Sequence, residues 1–358
     1  MENKTDYNNL WAKINDRFSK AGVPMAVQVE ITKRCVLDCR HCYVDHDAQG
    51  QEMSKAEWFS LFDDLAEFGV LQLTLTGGEP MMHPDFWELA DYARKRHFYL
   101  QVYTSAILID ANAAARLHDL GVAQVHVSIY SASPDFHDFM TQKNGSHQKS
   151  LTAIELLRKA GIPVRIKTVV MQQNVDEIHD IVALAKRLDC SYQFDPGLIA
   201  AQNNVRDPLV FRATQAQLNA LLGDAETAAL FYHESDIHQA CKVLINTQTS
   251  GTICQIGRSS AVVDAMGNLQ PCALYPAIGS IRSQSFKTIW TTNKTLDRLR
   301  AMTYETQDSC MTCKHITTCT PCAGLAMLES GNERACSQGS REMAIGFHEM
   351  KKAAKGVE

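Results

Sequence analysis

No run of about eighteen uninterrupted apolar residues occurs anywhere in the 358-residue chain, so the sequence offers no membrane span. It also lacks a dense Lys/Arg run, and with a net charge of −5 this argues against a general nucleic-acid surface. The opening stretch, Met1 to Lys20, is polar and amphipathic and has no apolar core of signal-peptide length. Without an export signal, a disulfide framework is not expected, although the chain contains 12 cysteines. They read instead as metal ligands kept reduced in the cytoplasm.

The distribution of those cysteines is uneven. Cys35, Cys39 and Cys42 fall together just after the apolar alternation Ala26, Val27, Val29, Ile31, and seven more lie between Cys254 and Cys336. Cys190 and Cys241 stand alone. Three thiolates on one short loop can converge on a soft metal centre. A structural zinc site takes four ligands and is closed, so three point either to a half site completed elsewhere or to a cluster with one iron free.

From Ala26 onward, β-type runs alternate with amphipathic helical patterns. The strand candidates are 27–31, 71–76, 98–103, 124–130, 164–170 and 191–194. The helix between the first two is well marked: Ser54 and Glu57 form a capping box, Met53 can staple against Trp58, and Gly69 ends it. Asn174 and Glu177 open another helix, with Ile178, Ile181, Val182 and Ala185 on its buried side. Six β–α repeats imply a parallel sheet with helices outside and ligands at the carboxyl ends of the strands. At the end of the second strand stands Thr76-Gly77-Gly78-Glu79-Pro80, where two glycines permit close backbone approach and a carboxylate can accept from an ammonium group.

The three-x, two-x cysteine spacing after a first strand, followed one strand later by Gly77-Gly78-Glu79, resembles the radical S-adenosylmethionine (SAM) superfamily. The resemblance implies a partial (β/α)6 barrel, a [4Fe-4S] cluster on Cys35, Cys39 and Cys42, and SAM chelated to its free iron. Gly77, Gly78 and Glu79 match the segment that binds the amino group of SAM. The family usually has an aromatic residue before the third cysteine, next to the adenine; here His41 occupies that place and Tyr43 follows the cysteine. By position, Thr104, Ser105 and Ser128 resemble contacts to SAM ribose or carboxylate, and Lys167 could meet the carboxylate. Asp195, closing the sixth strand, could face substrate or introduce the turn at Pro196-Gly197. His126 reads as a hydrogen-bonded interior or surface residue.

The order Cys254, Gly267, Cys272, Cys310, Cys313, Cys319, Cys322, Cys336 resembles the SPASM extension of peptide-modifying radical SAM enzymes. It implies one auxiliary iron–sulfur cluster on Cys310, Cys313, Cys319 and Cys336, and another on Cys254, Cys272 and Cys322, with Cys241 the nearest upstream candidate for its fourth ligand. A four-cysteine zinc knuckle made by Cys310, Cys313, Cys319 and Cys322 is the plain alternative. The expected organisation is an N-terminal extension over 1–25, a barrel over 26–200, a helical bridge over 201–250 and a cluster domain over 251–358.

The layout is most similar to maturases of ribosomally made (RiPP) peptides, such as the pyrroloquinoline-quinone peptide cyclase. It implies hydrogen abstraction from a precursor-peptide residue and closure of a C–C or thioether crosslink. The expected partners are a precursor peptide, a reductant such as flavodoxin or ferredoxin, and a separate leader-recognition protein, since no winged-helix module fits before Ala26. The rival activities are peptide epimerisation, with Cys190 or Cys241 returning hydrogen, sulfatase maturation and haem-pathway decarboxylation. Ala273 stands where the sulfatase-maturing enzymes carry an acidic residue. A non-catalytic iron–sulfur or zinc protein is the reading of a different class.

Overall fold

The computed structural model describes residues 13–355 apart from 15, 47–48, 202–206, 225–226, 228–229 and 232–250. Cys241, most of the helical pattern at 225–232 and much of the bridge therefore lie outside the described residues. Six parallel strands run in chain order: β1 (Ala26–Thr32), β2 (Gln72–Gly77), β3 (Tyr99–Thr104), β4 (Gln124–Ser128), β5 (Val164–Val169) and β6 (Ser191–Asp195). Between them lie α1 (Lys55–Phe68), α2 (Phe86–Lys95), α3 (Ala111–Asp119), α4 (Pro134–Thr141), α5 (Ser146–Lys159) and α6 (Ile178–Arg187).

One face of each strand is apolar and joins the helices in a single core. Val27, Val29 and Ile31 of β1, with Leu73, Leu75, Leu100, Val102, Val125 and Val127, pack against Trp58, Phe62, Leu65, Leu89, Leu117 and Leu157. The other face is polar: Gln72 donates to Gln101 at 3.0 Å, and the His126 ring meets Gln124 at 3.0 Å. Strands of a parallel sheet covered on both sides read as nearly continuous apolar runs. Alternation here marks an inner face built for a polar lumen rather than for a second layer of helices.

Helix α1 starts and stops on local signals. The Ser54 hydroxyl accepts from Glu57 N, the Glu57 carboxylate accepts from Ser54 N at 2.8 Å, and Gly69 closes the helix with φ 94°. Met53 and Trp58 are both buried in the core beside it.

The sheet does not stop at β1. Strand β7 (Ser260–Val263) lies parallel to the free side of β1, and the antiparallel β8 (Asn268–Gln270) and β9 (Gly279–Ser280) extend it, giving the order β6-β5-β4-β3-β2-β1-β7-β8-β9. The cysteine-rich segment thus begins as a continuation of the barrel sheet, and β6 and β9 remain its two edges. Arg282 fastens the seam, donating to Glu57 Oε1 at 2.7 Å and to Gln51 O at 2.9 Å. Beyond it come α7 (Gln215–Gly223), α8 (Phe286–Thr292), α9 (Lys294–Arg300), α10 (Ala323–Ser330) and α11 (Gln338–Lys355), numbered in chain order. Helix α11 packs on α7 where Gly346 faces Leu222; a Cβ at 346 would come within 2.8 Å of Leu222 Cδ1.

Candidate functional site

The loop carrying Cys35, Cys39 and Cys42 leaves the carboxyl end of β1 and is held from one side by the turn after β2. Gly78 N donates to Thr32 O and Glu79 N to Arg34 O, each at 2.8 Å. The two glycines are required by this contact. A Cβ on Gly77 (φ 143°) would sit 2.2 Å from Thr32 O, and one on Gly78 would sit 2.5 Å from Arg34 O. Their smallness therefore serves the approach of one loop backbone to another.

Glu79 is completely buried. Its carboxylate accepts from Thr104 Oγ1 at 2.7 Å, Ser105 Oγ at 2.6 Å and Ser105 N at 3.0 Å. Burial pushes its pKa up, while these donors pull it back. Thr104 and Ser105 thus hold Glu79 from the end of β3. Ser128 and Lys167 are register neighbours on β4 and β5, and the Lys167 ammonium lies 4.5 Å from the centre of the Tyr103 ring.

The three thiols are half-buried and sense one another. Burial raises all three pKa values, Cys42 to about 11, and the charges of Cys35 and Cys42 raise Cys39 further. A cationic iron centre reverses that repulsion, because thiolate ligands must give up their protons to bind. The donor set therefore fits the cluster, and SAM would lie beside it. His41 is buried and meets the Tyr130 ring edge-on at 4.3 Å, and burial lowers its pKa to about 4. The Tyr43 hydroxyl turns inward and donates to Glu30 Oε1 at 3.2 Å.

Glu30 and Tyr130 escaped the sequence reading. Glu30 is 1% exposed on β1, in register with Thr76, and its charge raises the Cys42 pKa. An acid within an alternating apolar strand was the available signal. Tyr130 is buried beyond β4 and senses Cys39, Cys42 and Cys35. Nothing local in the sequence marks it.

Asp195 is exposed and its Oδ1 accepts from Gly197 N at 2.9 Å, so it forms the turn. Cys190 stands before the first residue of β6, at the amino-terminal end of the strands. It is therefore at the opposite end of the strands from the cysteine loop, and burial raises its pKa to about 11.

In the C-terminal segment, burial and the charges of Cys336 and Cys313 raise Cys310 to about 11. Cys319 rises to about 12 through burial and the charges of Cys310, Cys336 and Cys313. The four grouped by these interactions include Cys336 and leave out Cys322. Cys322 instead caps α10, its sulfur accepting from Leu325 N at 3.5 Å. Gly324 brings that cap against the loop after Cys272, since a Cβ there would lie 2.6 Å from Leu274 Cβ. Cys254 and Cys272 pack on one apolar cluster that contains Ala323. Among the described residues, no three His, Cys, Asp or Glu side chains stand close enough to share a single metal ion.

A cleft of about 290 Å³ opens between the end of β6, α7, α10 and α11. Phe194, Leu198, Phe231, Met343 and Phe347 line it, Cys322 forms part of its wall, and Arg212 meets Glu342 there at 3.3 Å. That distance is an ion pair without the alignment of a hydrogen bond to Glu342 Oε2.

The sheet, the clamped cysteine loop and the second cysteine group define an iron–sulfur protein with a parallel β/α barrel. The chain belongs to the radical SAM superfamily: that family's model matches residues 29–185, and the model of the SPASM iron–sulfur cluster-binding domain matches 254–314. Its cofactors are SAM, a [4Fe-4S] cluster and auxiliary iron–sulfur clusters. The PqqA peptide cyclase of Bradyrhizobium diazoefficiens is 33% identical over 170 residues, 47% of this chain and 45% of that one, so the match spans about half the cyclase. The AdoMet-dependent heme synthase of Methanosarcina barkeri is 27% identical over 328 residues, 86% of this chain and 94% of that one. Mycofactocin maturase MftC of Mycolicibacterium smegmatis is 28% identical over 309 residues, 83% and 77% of the two chains. The structure of Streptococcus suis SuiB bound to its precursor peptide SuiA superposes with a TM-score of 0.69 at 12% identity, covering 95% of this chain and 82% of SuiB.

Proposed function

We propose that this chain is a peptide maturase that removes a hydrogen atom from a residue of a precursor peptide and closes an intramolecular C–C or thioether crosslink. Cys35, Cys39 and Cys42 hold the SAM cluster in this reading, and Gly77–Glu79, Thr104, Ser105, Ser128, Lys167, His41 and Tyr43 surround SAM. Bound there, the cluster and SAM supply a 5′-deoxyadenosyl radical as the hydrogen acceptor. Cys310, Cys313, Cys319 and Cys336 hold one auxiliary cluster. Cys254, Cys272 and Cys322 hold the other, an electron-accepting site, and Cys322 places it beside the cleft. Electrons for SAM cleavage come from a flavodoxin or ferredoxin, and a separate protein presents the leader. No disulfide joins the described cysteines, which suits a reducing cytoplasm.

The lining of the cleft carries the choice of a peptide. It is mostly apolar, and its one cation among the described residues, Arg212, is paired with Glu342. Apolar and aromatic side chains of a peptide suit such a wall. A tetrapyrrole with several carboxylates calls for several cations without partners. The extended similarity to a heme synthase supports decarboxylation of a tetrapyrrole as the second reading. Epimerisation loses one of its two candidate thiols, because Cys190 stands at the far end of the strands.

The test is to incubate the reconstituted chain in deuterated water with a short peptide encoded beside it. Loss of two hydrogens, with fragmentation suppressed inside a ring, supports the crosslink. Unchanged connectivity with one deuterium at an α-carbon shows epimerisation, and release of carbon dioxide from a tetrapyrrole shows the second reading.

A further inference from the structure

The cysteine loop is held on its second side by the corner between α4 and α5, a contact that neither sequence motif includes. Arg40 N donates to Met140 O at 2.9 Å and Asp38 N to Thr141 O at 3.4 Å, so the backbone on both sides of Cys39 is bonded to the last turn of α4. Carbonyls in that turn have no partner within their own helix. The Arg40 side chain adds a bond to Phe139 O at 3.1 Å and lies 4.4 Å from the centre of the Phe139 ring. Gln142 completes the contact by donating its side-chain amide to Asp38 O.

Gln142 is the unusual member. It caps α4 with φ 55°, in the left-handed region that favours glycine or asparagine. A glutamine there strains the backbone and leaves α4 less stable than glycine would. The corner itself needs no glutamine, because the Asp138 carboxylate already fixes it. Asp138 accepts from Gly145 N at 2.6 Å, Ser146 Oγ at 2.8 Å and His147 N at 2.9 Å. What the glutamine supplies is reach across to the cysteine loop.

We propose that Gln142 is a positioning residue for the SAM cluster: from its strained cap it fixes the Asp38 carbonyl, and with it the direction of Cys39. This rests on Cys35, Cys39 and Cys42 being the cluster ligands. The consequence is an opposition that ordinary structural residues do not show. Replacing Gln142 with glycine relieves the cap and loosens the cluster loop.

The experiment compares the reconstituted native chain with Gln142→Gly, Gln142→Asn and Gln142→Lys. Electron paramagnetic resonance follows the reduced cluster signal that shifts when SAM is added, during exposure to an iron chelator. Calorimetry gives the melting temperature of each metal-free chain. In Gln142→Gly and Gln142→Asn, the SAM-responsive signal should decay roughly three- to tenfold faster while the melting temperature holds or rises. The signals unresponsive to SAM should decay at the native rate. Gln142→Lys, which keeps a donor of similar reach, should restore most of the lifetime. A native decay rate in Gln142→Gly overturns the proposal, as does a faster decay accompanied by a fall in melting temperature. A SAM-responsive signal that survives in the Cys35, Cys39 and Cys42 triple alanine variant removes the ligand assignment instead.

Discussion

Thr104 donates its hydroxyl to the Glu79 carboxylate at 2.7 Å in a place from which solvent is excluded. The bond ties the end of β3 to the turn after β2, and that turn holds the cysteine loop at Thr32 and Arg34. Three successive β–α units are thus joined at one point. The site is a junction of loop backbones before it is a pocket of side chains.

That junction makes Gly77 a sensitive position. Gly77→Ala places a Cβ 2.2 Å from a backbone oxygen at φ 143°, and neither partner is a flexible side chain. Strain of this kind costs on the order of 3 kcal/mol or more. The variant should melt well below the native chain and retain less iron after reconstitution. Native iron content and native melting temperature together would remove Gly77 from this role.

Removing one thiol tests the proposed ligand set directly. Cys39→Ala should abolish release of 5′-deoxyadenosine under a strong reductant in the absence of oxygen. Full release would remove the central claim. His41→Ala should leave cleavage measurable and weaken SAM binding, since the imidazole supplies a surface and no ligand.

The C-terminal cysteines yield a count. With three cubane clusters, iron should approach about twelve per chain and fall to about eight in the Cys35, Cys39 and Cys42 triple alanine variant. Cys336→Ala should lower iron by about four, because Cys310 and Cys319 sense Cys336. One tight zinc with iron near four would restore the zinc knuckle, and its fourth ligand would then be Cys322.

Much of this architecture was legible locally. All six strand candidates formed strands within one or two residues, because each carries its own alternation and is bounded by its own turns. The capping box at Ser54 and Glu57 closed as expected. What escaped was non-local. β7 joins β1 although more than two hundred residues separate them in the chain, and Gln142 reaches Asp38 across 104 positions. Nor were the protein partners of Thr104 and Ser105 legible. They meet Glu79, which is set by how closely β2 and β3 run together.

The imidazoles behind the loop should make the metal-free chain sensitive to acid. His137 lies 5.4 Å from Tyr130 and 5.2 Å from His147, ring centre to ring centre, and its Nδ1 accepts from Tyr130 N at 3.2 Å. Burial, reinforced by the charges of His147 and His41 and opposed by Asp138, lowers its pKa from 6.5 to about 3. The unfolded chain takes up a proton at this residue below about 6.5, while the folded chain refuses it until about 3. Stability from the neutral ring is therefore complete above 6.5 and drains away as the pH falls toward 3. The total is on the order of a few kcal/mol. His41, lowered to about 4 by burial, adds to the same slope over a shorter range. In His137→Gln the side-chain amide can still accept from Tyr130 N, but the residue no longer titrates. The variant should be less stable than the native chain at pH 7.5, and the difference should shrink as denaturant melts are repeated down to pH 4. A constant difference across that range would mean that His137 takes up its proton as readily in the fold as in the unfolded chain, and the buried stack would lose its role in acid unfolding.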